Sequence, residues 1–396
     1  MTDKIRSLFA ATLFVVGGTA AAADIDVMLQ NQYLGTDLTP VITAPPDLIS
    51  ERVIQALENV AASLPAERLS QLAALIRQRS PHAVVLNEAF AYACTDFPGT
   101  PAAQGCGNQR IKGAFVDFLA STEANLGDLY ATKARVRNFS VAGLPFQIDG
   151  YWALLSVQDR DAILVRRDVA PYAQAVPLGF YAGCRESLEG CNYQAVPTLD
   201  TALGPITIER GFAAVDLQVA GQPYRIFGTH LEVRQIIPGD SDLAQATRTL
   251  QRMQAAELAQ VAVGFPAAPG TRTLVVGDIN SADVDGFDTI PTPIGPLPPP
   301  YAIFAGSGFT DVWTRQPASP NGKGAPLIAF TCCQAEDLSN RQSELYERID
   351  IIWSLTPPRN VPNAVLLGES MGDKTLPRAF GVWPSDHASV AARIQY

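Results

Sequence analysis

Apolar residues recur along the chain with two periods, one suited to strands and one to helices. Several short apolar runs end on polar residues. They are Ile25–Leu29 running into Gln30-Asn31, His82–Leu86 into Asn87-Glu88, Tyr224–Gly228 into Thr229-His230, and Thr273–Val276 into Gly277-Asp278-Ile279-Asn280. Arg348–Trp353, carrying Asp350, and Ser389–Ile394, behind Asp386-His387, have the same character, and Gly211–Val219 is a further strand. Phe146–Ser156 and Ala162–Val165 read as two strands separated by a polar turn, Gln158-Asp159-Arg160-Asp161. Helical spacing links Val53, Leu57, Val60 and Leu64 behind Pro46-Asp47, and Leu69, Leu72 and Ile76 behind Pro65. Gln109–Leu119 is helix-like. Asp242–Val263 is the strongest helical segment, with Asp242 as cap and Leu243, Leu250, Met253, Leu258 and Val261 along one face. Pro291 to Pro300 holds six prolines and reads as a stiff surface connector. Strands outnumber helices and alternate by meander and crossover. That pattern predicts a two-layered sheet core flanked by helices, in one α/β (α+β) domain.

The strand ends are where chemistry collects. In Thr273–Asn280 a buried strand delivers Asp278 and Asn280 side by side at its carboxyl end. A Gly-Asp turn by itself is ordinary loop chemistry, but the histidines sharpen the choice. The chain has 3, and two of them, His230 and His387, sit at strand boundaries beside Thr229 and Asp386. His82 lies at the entering end of its strand, which is a structural position. Collected strand-end residues are then Asn31, Glu88, His230, Asp278, Asn280, Asp350, Asp386 and His387. Hard oxygen ligands suit magnesium or manganese, and two imidazoles can contact a phosphoryl oxygen or carry a proton near neutral pH. Such a set equips a site for metal-assisted phosphoester hydrolysis.

Composition narrows the setting. At 396 residues and 47% hydrophobic, the chain can bury a large core. Its formal net charge of -10 argues against non-specific binding to phosphate backbones and against a polybasic membrane anchor. Lys4 and Arg6, an apolar run from Leu8 to Val16 and the small residues Ala21-Ala22-Ala23 have the anatomy of an export signal over residues 1–23, too short to span a bilayer. The mature chain, 24–396, is then expected to be periplasmic or secreted and to lack a transmembrane segment. The 6 cysteines fit export, and spacing favours Cys94 with Cys106 and Cys184 with Cys191. Cys332 and Cys333 are either a vicinal bridge or two thiols.

Taken in order, Asn31, Leu86-Asn87-Glu88, Gly228-Thr229-His230-Leu231-Glu232, Gly277-Asp278-Ile279-Asn280, Arg348-Ile349-Asp350 and Ser385-Asp386-His387 resemble the motif series of the endonuclease/exonuclease/phosphatase superfamily, the deoxyribonuclease I-like fold. The resemblance covers nearly all of residues 24–396. It implies a four-layered α/β sandwich of two packed mixed β-sheets with helices outside. It further implies Glu88 as principal metal ligand with Asn31 and Asp386 nearby, and Mg2+ or Mn2+ as the ion. Asp278 would orient or activate water, and Asn280 would hold the phosphate. His387 would contact the phosphoryl group, aligned by Asp350. His230 would be the second phosphate contact and a candidate acid for the leaving oxygen, with Asp161 or Asp159 as its orienting carboxylate. Asn87 stands where the family often has Gln, as in sphingomyelinase-like members. Thr331-Cys332-Cys333-Gln334 resembles an uncharacterised bacterial branch.

The expected partner is a phosphoester substrate, and three functions follow. A secreted phosphodiesterase acting on a phospholipid or sphingomyelin head group leads. An extracellular nuclease would use the same set, but its expected cationic groove rests on Arg135, Arg137, Arg160, Arg166 and Arg167 alone. A catalytically silent binding module would have lost one of these residues, and none is replaced.

Overall fold

The computed structural model describes residues 24–181, 183–185, 190–201, 204–235, 239, 241–317, 329–377 and 381–396. The expected export signal, residues 1–23, lies outside the described residues. Two mixed sheets of seven strands each stack face to face. The first runs Asn360–Leu367, Ser389–Gln395, Ile25–Asn31, Ala83–Asn87, Tyr151–Arg166 and Ala91–Asp96, with Tyr130–Ile148 pairing along Tyr151–Arg166. The second runs Thr310–Asp311, Asp350–Ser354, Arg272–Asp278, Gln222–His230, Gly211–Val219 and Gln174–Ala175, with Cys191–Asn192 also on Gly211–Val219.

Period-two alternation explains the layers. Val27, Leu29, Ala83 and Val85 enter the core between the sheets, where they meet Leu274, Val276, Val215 and Ile352. Met28, Val84 and Leu86 point the other way, into a core shared with the helices Ile49–Ala62, Pro65–Arg79 and Phe118–Leu126. Phe227, Val275 and Ile351 likewise face the helices Ser241–Gly264 and Pro300–Gly306. Helices, sheet, sheet and helices make the expected four layers, two packed mixed sheets flanked by helices.

Each sheet is built around the same local unit. Ile25–Asn31 crosses over through helices to the parallel strand Ala83–Asn87, flanked by antiparallel Ser389–Gln395 and Tyr151–Arg166. Gln222–His230 crosses over through Ser241–Gly264 to the parallel strand Arg272–Asp278, flanked by antiparallel Gly211–Val219 and Asp350–Ser354. Register places Asn31 beside Asn87 and His230 beside Asp278. All four parallel strands therefore deliver their carboxyl ends, and the polar residues on them, to one end of the molecule.

Three expectations are corrected. Gln158–Asp161 is no turn but the middle of one strand, Tyr151–Arg166, and Phe146 belongs to the preceding strand. Its polar residues are tolerated there because they are paired, Asp161 with Asn87 and Asn138, and Arg160 with Asp117. The helix expected at Gln109–Leu119 begins only at Phe118, where the Asp117 carboxylate accepts from the Ala120 amide at 3.0 Å. On Ser241–Gly264 the buried face holds Thr247, Gln251, Gln254, Leu258 and Val261, while Leu243, Leu250 and Met253 are half-exposed. The glutamines face inward because their amides serve backbone groups, Gln251 donating to the Asn280 carbonyl at 2.8 Å and Gln254 to the Ala195 carbonyl at 2.7 Å.

Gly277 shows why the strand ends as it does. A Cβ at this position would collide with the Thr229 carbonyl oxygen of the neighbouring strand. Gly277→Ala should therefore lose about 2–3 kcal/mol of stability, as local strand displacement requires, measured by urea unfolding. A midpoint equal to that of the parent protein would contradict this.

Candidate active site

Asp278 stands at the centre. Its Oδ2 lies 3.4 Å from Asn31 Nδ2, 3.6 Å from His230 Nε2 and 3.8 Å from His387 Nε2, while Oδ1 accepts from the Asn280 amide at 2.9 Å. The two imidazoles, 157 residues apart in sequence, thus bracket one carboxylate oxygen. Asn280 donates from Nδ2 to the Leu231 carbonyl at 3.0 Å and sits 3.2 Å from His230 Nε2. Glu88 accepts from Asn31 Nδ2 at 3.1 Å and from the Leu34 amide at 2.9 Å. All eight strand-end residues named from the sequence are brought to this end of the sheets.

Three of the eight non-glycine residues with left-handed backbone among the described residues lie at or beside these positions. Tyr33, Glu88 and Asn280 have φ of 59°, 53° and 49°, in the left-handed region that non-glycine residues avoid. Each is held there by its neighbours. Gln251 and Arg234 both donate to the Asn280 carbonyl, at 2.8 and 3.0 Å, and the Tyr33 amide donates to Asn31 Oδ1 at 2.9 Å.

His387 is fixed from several sides. Its Nδ1 is 2.7 Å from Asp350 Oδ2, and its amide donates to Ser385 Oγ at 3.1 Å. Ser385 in turn donates to the Asn31 carbonyl at 2.7 Å. The Thr331–Gln334 segment fastens the two motifs together. Thr331 Oγ1 accepts from the Ile349 and Asp350 amides, its carbonyl accepts from Ala388, and the Gln334 amide donates to the Asp386 carbonyl. Cys332 and Cys333 are bridged to each other, and the expected Cys94–Cys106 and Cys184–Cys191 bridges are formed.

Charge divides the two histidines. Burial alone would lower His387, but Asp350, Asp386 and Asp278 outweigh it and hold the imidazole well above its ordinary value. His230 is driven well below by burial, then by Arg210 and His387. The contacts agree, since both ring nitrogens of His387 face carboxylates, whereas Nδ1 of His230 faces the donor Arg210 and its Nε2 lies between the Asn280 amide and Asp278 Oδ2. The guess that Asp159 or Asp161 orients His230 is corrected. Arg210 occupies Nδ1 at 3.2 Å, Asp159 pairs with Arg210 at 3.6 Å, and Asp161 is taken by two asparagines. His82, by contrast, accepts from the Asp26 amide at 2.9 Å, the structural role its position implied.

The donor set fits a hard divalent cation. Burial and Asp350 push Asp278 up to about 7, and burial with neighbouring Glu88 among its causes pushes Asp386 up to about 6, a crowding that a cation would relieve. Asp278, Asp350 and His387 also offer ligand atoms within 4.8 Å of one another, but the 2.7 Å contact between His387 Nδ1 and Asp350 Oδ2 commits that pair to each other and leaves the carboxylates of Glu88 and Asp386 for the cation. Cys332 and Cys333 also approach His387, but as a disulfide they offer no thiolate.

Comparison with known proteins gives the following. No family model matches the chain, and no curated protein matches it. Similar solved structures include endonuclease/exonuclease/phosphatase proteins. One, from Beutenbergia cavernae, is 16% identical over 94% of this chain and 72% of that one, with a TM-score of 0.43. A humanized D. rerio TDP2 is 14% identical over 94% and 99%, with a TM-score of 0.46. A mannosyl-6-phosphatase from Bacteroides thetaiotaomicron is 12% identical over 94% and 100%, with a TM-score of 0.48.

Two residues essential to this geometry carry no periodic signal. Arg68, wholly buried on the helix Pro65–Arg79, donates to the Gln32, Tyr33, Ser63 and Pro384 carbonyls and so ties the loop after the first strand to the one before Asp386. Asn87, also wholly buried, donates to Thr229 O at 2.9 Å and Asp161 Oδ1 at 2.8 Å and accepts from the Asp278 amide at 3.1 Å. Replacing Asn87 by Leu strands three buried partners, at roughly 1–3 kcal/mol for each group left unpaired. Urea unfolding should show Asn87→Leu destabilised by about 3 kcal/mol or more, and a change below about 0.5 kcal/mol, the usual surface-substitution range, would refute the clamp.

Proposed function

We propose that residues 24–396 act as one exported, divalent-metal-dependent phosphoesterase that hydrolyses a phosphodiester, with a phospholipid or sphingomyelin head group favoured as substrate. The observation that carries this reading is the convergence of His230 and His387 on Asp278 Oδ2, at 3.6 and 3.8 Å, beside Asn280 and Glu88. Two imidazoles so placed can grip a tetrahedral phosphoryl group from opposite sides, and the carboxylate between them lies where an attacking water is oriented. Asn280 holds a phosphate oxygen. His387, aligned by Asp350, is the proton-bearing partner. The acid for the leaving oxygen, which motif order assigns to His230, falls to His387 because only its ring faces carboxylates on both sides. His230, kept neutral by its burial and then by Arg210, serves as the second phosphate contact. Magnesium or manganese held by Glu88 and Asp386, with Asn31 beside them, would neutralise phosphate charge and acidify water.

The nuclease alternative needs cations free to meet a polyanion. Arg160 is instead bound to Asp117 at 2.6 Å, and Arg166 to Asp168 at 2.8 Å, which weakens that case. Three disulfides support export, and no helix of the described residues is long and apolar enough to cross a membrane.

The test is hydrolysis of bis(para-nitrophenyl) phosphate, a phosphomonoester, plasmid DNA and sphingomyelin, each with magnesium or with chelator. We expect chelator-sensitive turnover of a diester, reduced about 100- to 10,000-fold in His387→Ala, the span of general acid–base contributions. Turnover indifferent to chelator, or retained in His387→Ala, would sink the assignment. Cleavage of DNA but not sphingomyelin would move the substrate to nucleic acid.

A further inference from the structure

A cavity of about 270 Å³ opens directly beside Glu88. Leu38 and Val41 from the loop and short helix after the first strand form one wall, and Leu57 of the helix Ile49–Ala62 forms the back. Val141 and Leu155 face them from the long hairpin Tyr130–Ile148 and Tyr151–Arg166, and Ile208 closes the side. Its main polar group is Glu88 joined by Asp159, Arg210 and Glu232, with Thr36, Asp37 and Thr39 on the loop-and-helix side, and the rest of the lining is mostly apolar. Arg210 is 3.6 Å from each of Asp159 and Glu232, and its buried Nε has no hydrogen-bond partner.

Two physical facts bear on what this space is for. The space opens to solvent on one side, so its apolar walls stay wetted until an apolar group covers them, and covering them is favourable. Its walls also offer little to a polar guest. The Tyr92 hydroxyl is already committed to the Leu34 carbonyl at 2.9 Å, and the remaining lining is chiefly aliphatic and aromatic carbon. A nucleobase or sugar placed there would lose hydrogen bonds to water without replacement. A hydrocarbon chain would lose none, and its charged end would meet Glu88 with its cation and Arg210.

We propose that the substrate is an aliphatic phosphoester whose phosphate lies at the Glu88–His387 site and whose alkyl chain is withdrawn into this cavity. The proposal rests on the phosphoesterase reading and adds to it the chemical class of the group esterified to phosphate. The tip of this hairpin and the end of its neighbouring strand Ala91–Asp96 together carry an exposed aromatic pair. Trp152 is 48% and Phe97 45% exposed there, joined by a hydrogen bond from the Phe97 amide to the Trp152 carbonyl. Such a tip suits delivery from a lipid surface.

The experiment measures binding and hydrolysis separately. Ethyl, butyl, hexyl, octyl and decyl phosphate are titrated calorimetrically into the full chain with magnesium. The matching alkyl para-nitrophenyl diesters are assayed for release of para-nitrophenol. Each added methylene should tighten binding by roughly threefold to fourfold until the cavity is full, the equivalent of burying one CH₂. Val41→Trp, which fills the cavity from its half-exposed wall, should flatten the series. Val141→Glu serves as a second variant with the same expectation should the first misfold. Affinity independent of chain length, or a gradient surviving both variants, overturns the cavity assignment even where hydrolysis proceeds. A chain-length gradient without hydrolysis supports the cavity and overturns the phosphoesterase reading instead. Tighter binding of decyl phosphate from phosphatidylcholine vesicles than from solution assigns a membrane source, and the reverse a soluble amphiphile, both being support.

Discussion

Asn87 links the two sheets where their buried polar strand ends meet. Its amide reaches across from the first sheet to Thr229 O and the Asp278 amide of the second, and its remaining proton goes to Asp161. Without such a link, the ends of four parallel strands would present backbone groups and carboxylates to each other with no partner, at a cost the apolar core would have to offset. With it, the same crowding becomes usable. Asp278 is held upright between two imidazoles because its own amide is anchored by Asn87 and its Oδ1 by the Asn280 amide. Everything proposed for the site depends on that carboxylate staying in place.

The repeated unit in the two sheets explains why the site lies on their common edge. A crossover between parallel strands needs a helix, so each pair must send its loops out at the carboxyl end. Stacking one unit on the other brings Asn31 and Glu88 from one into reach of His230, Asp278 and Asn280 from the other. The antiparallel neighbours add Asp350 and His387 at the same level. Chemistry here is a property of how two half-structures meet.

Much of this was legible in the chain. Apolar runs ending in polar residues located the central strands, and the scarcity of histidine singled out His230 and His387. Local spacing was enough for two disulfides. What escaped was polar structure inside apolar elements. Gln158–Asp161 reads as a turn because four polar residues in succession interrupt an apolar pattern, yet the three buried ones, Asp159, Arg160 and Asp161, carry partners from distant segments that no local window contains. Gln251 and Gln254 shift the buried face of their helix away from Leu243, Leu250 and Met253 for the same reason. Arg68 and Asn87 were hidden too, since a buried polar residue is chosen by its hydrogen bonds and periodicity is blind to those. Asn87 was visible only as a departure from a family pattern.

The strained residues connect folding to function. Tyr33, Glu88 and Asn280 each adopt a left-handed conformation at the end of a strand, and each is a site residue or its immediate support. Left-handed backbone turns the chain sharply, so that the side chain points back over the strand end and not along it. A glycine would adopt this conformation freely, but it would carry no carboxylate or amide to the site. The cost of roughly 1–3 kcal/mol for each such residue is therefore the cost of having both the turn and the functional group at one position. The neighbours that hold Asn280, Gln251 and Arg234, come from the helix and loop of the same crossover. The inward-facing glutamines thus belong to the same arrangement as the strain they support, and a helix with an apolar face in their place would pack as well and position Asn280 less.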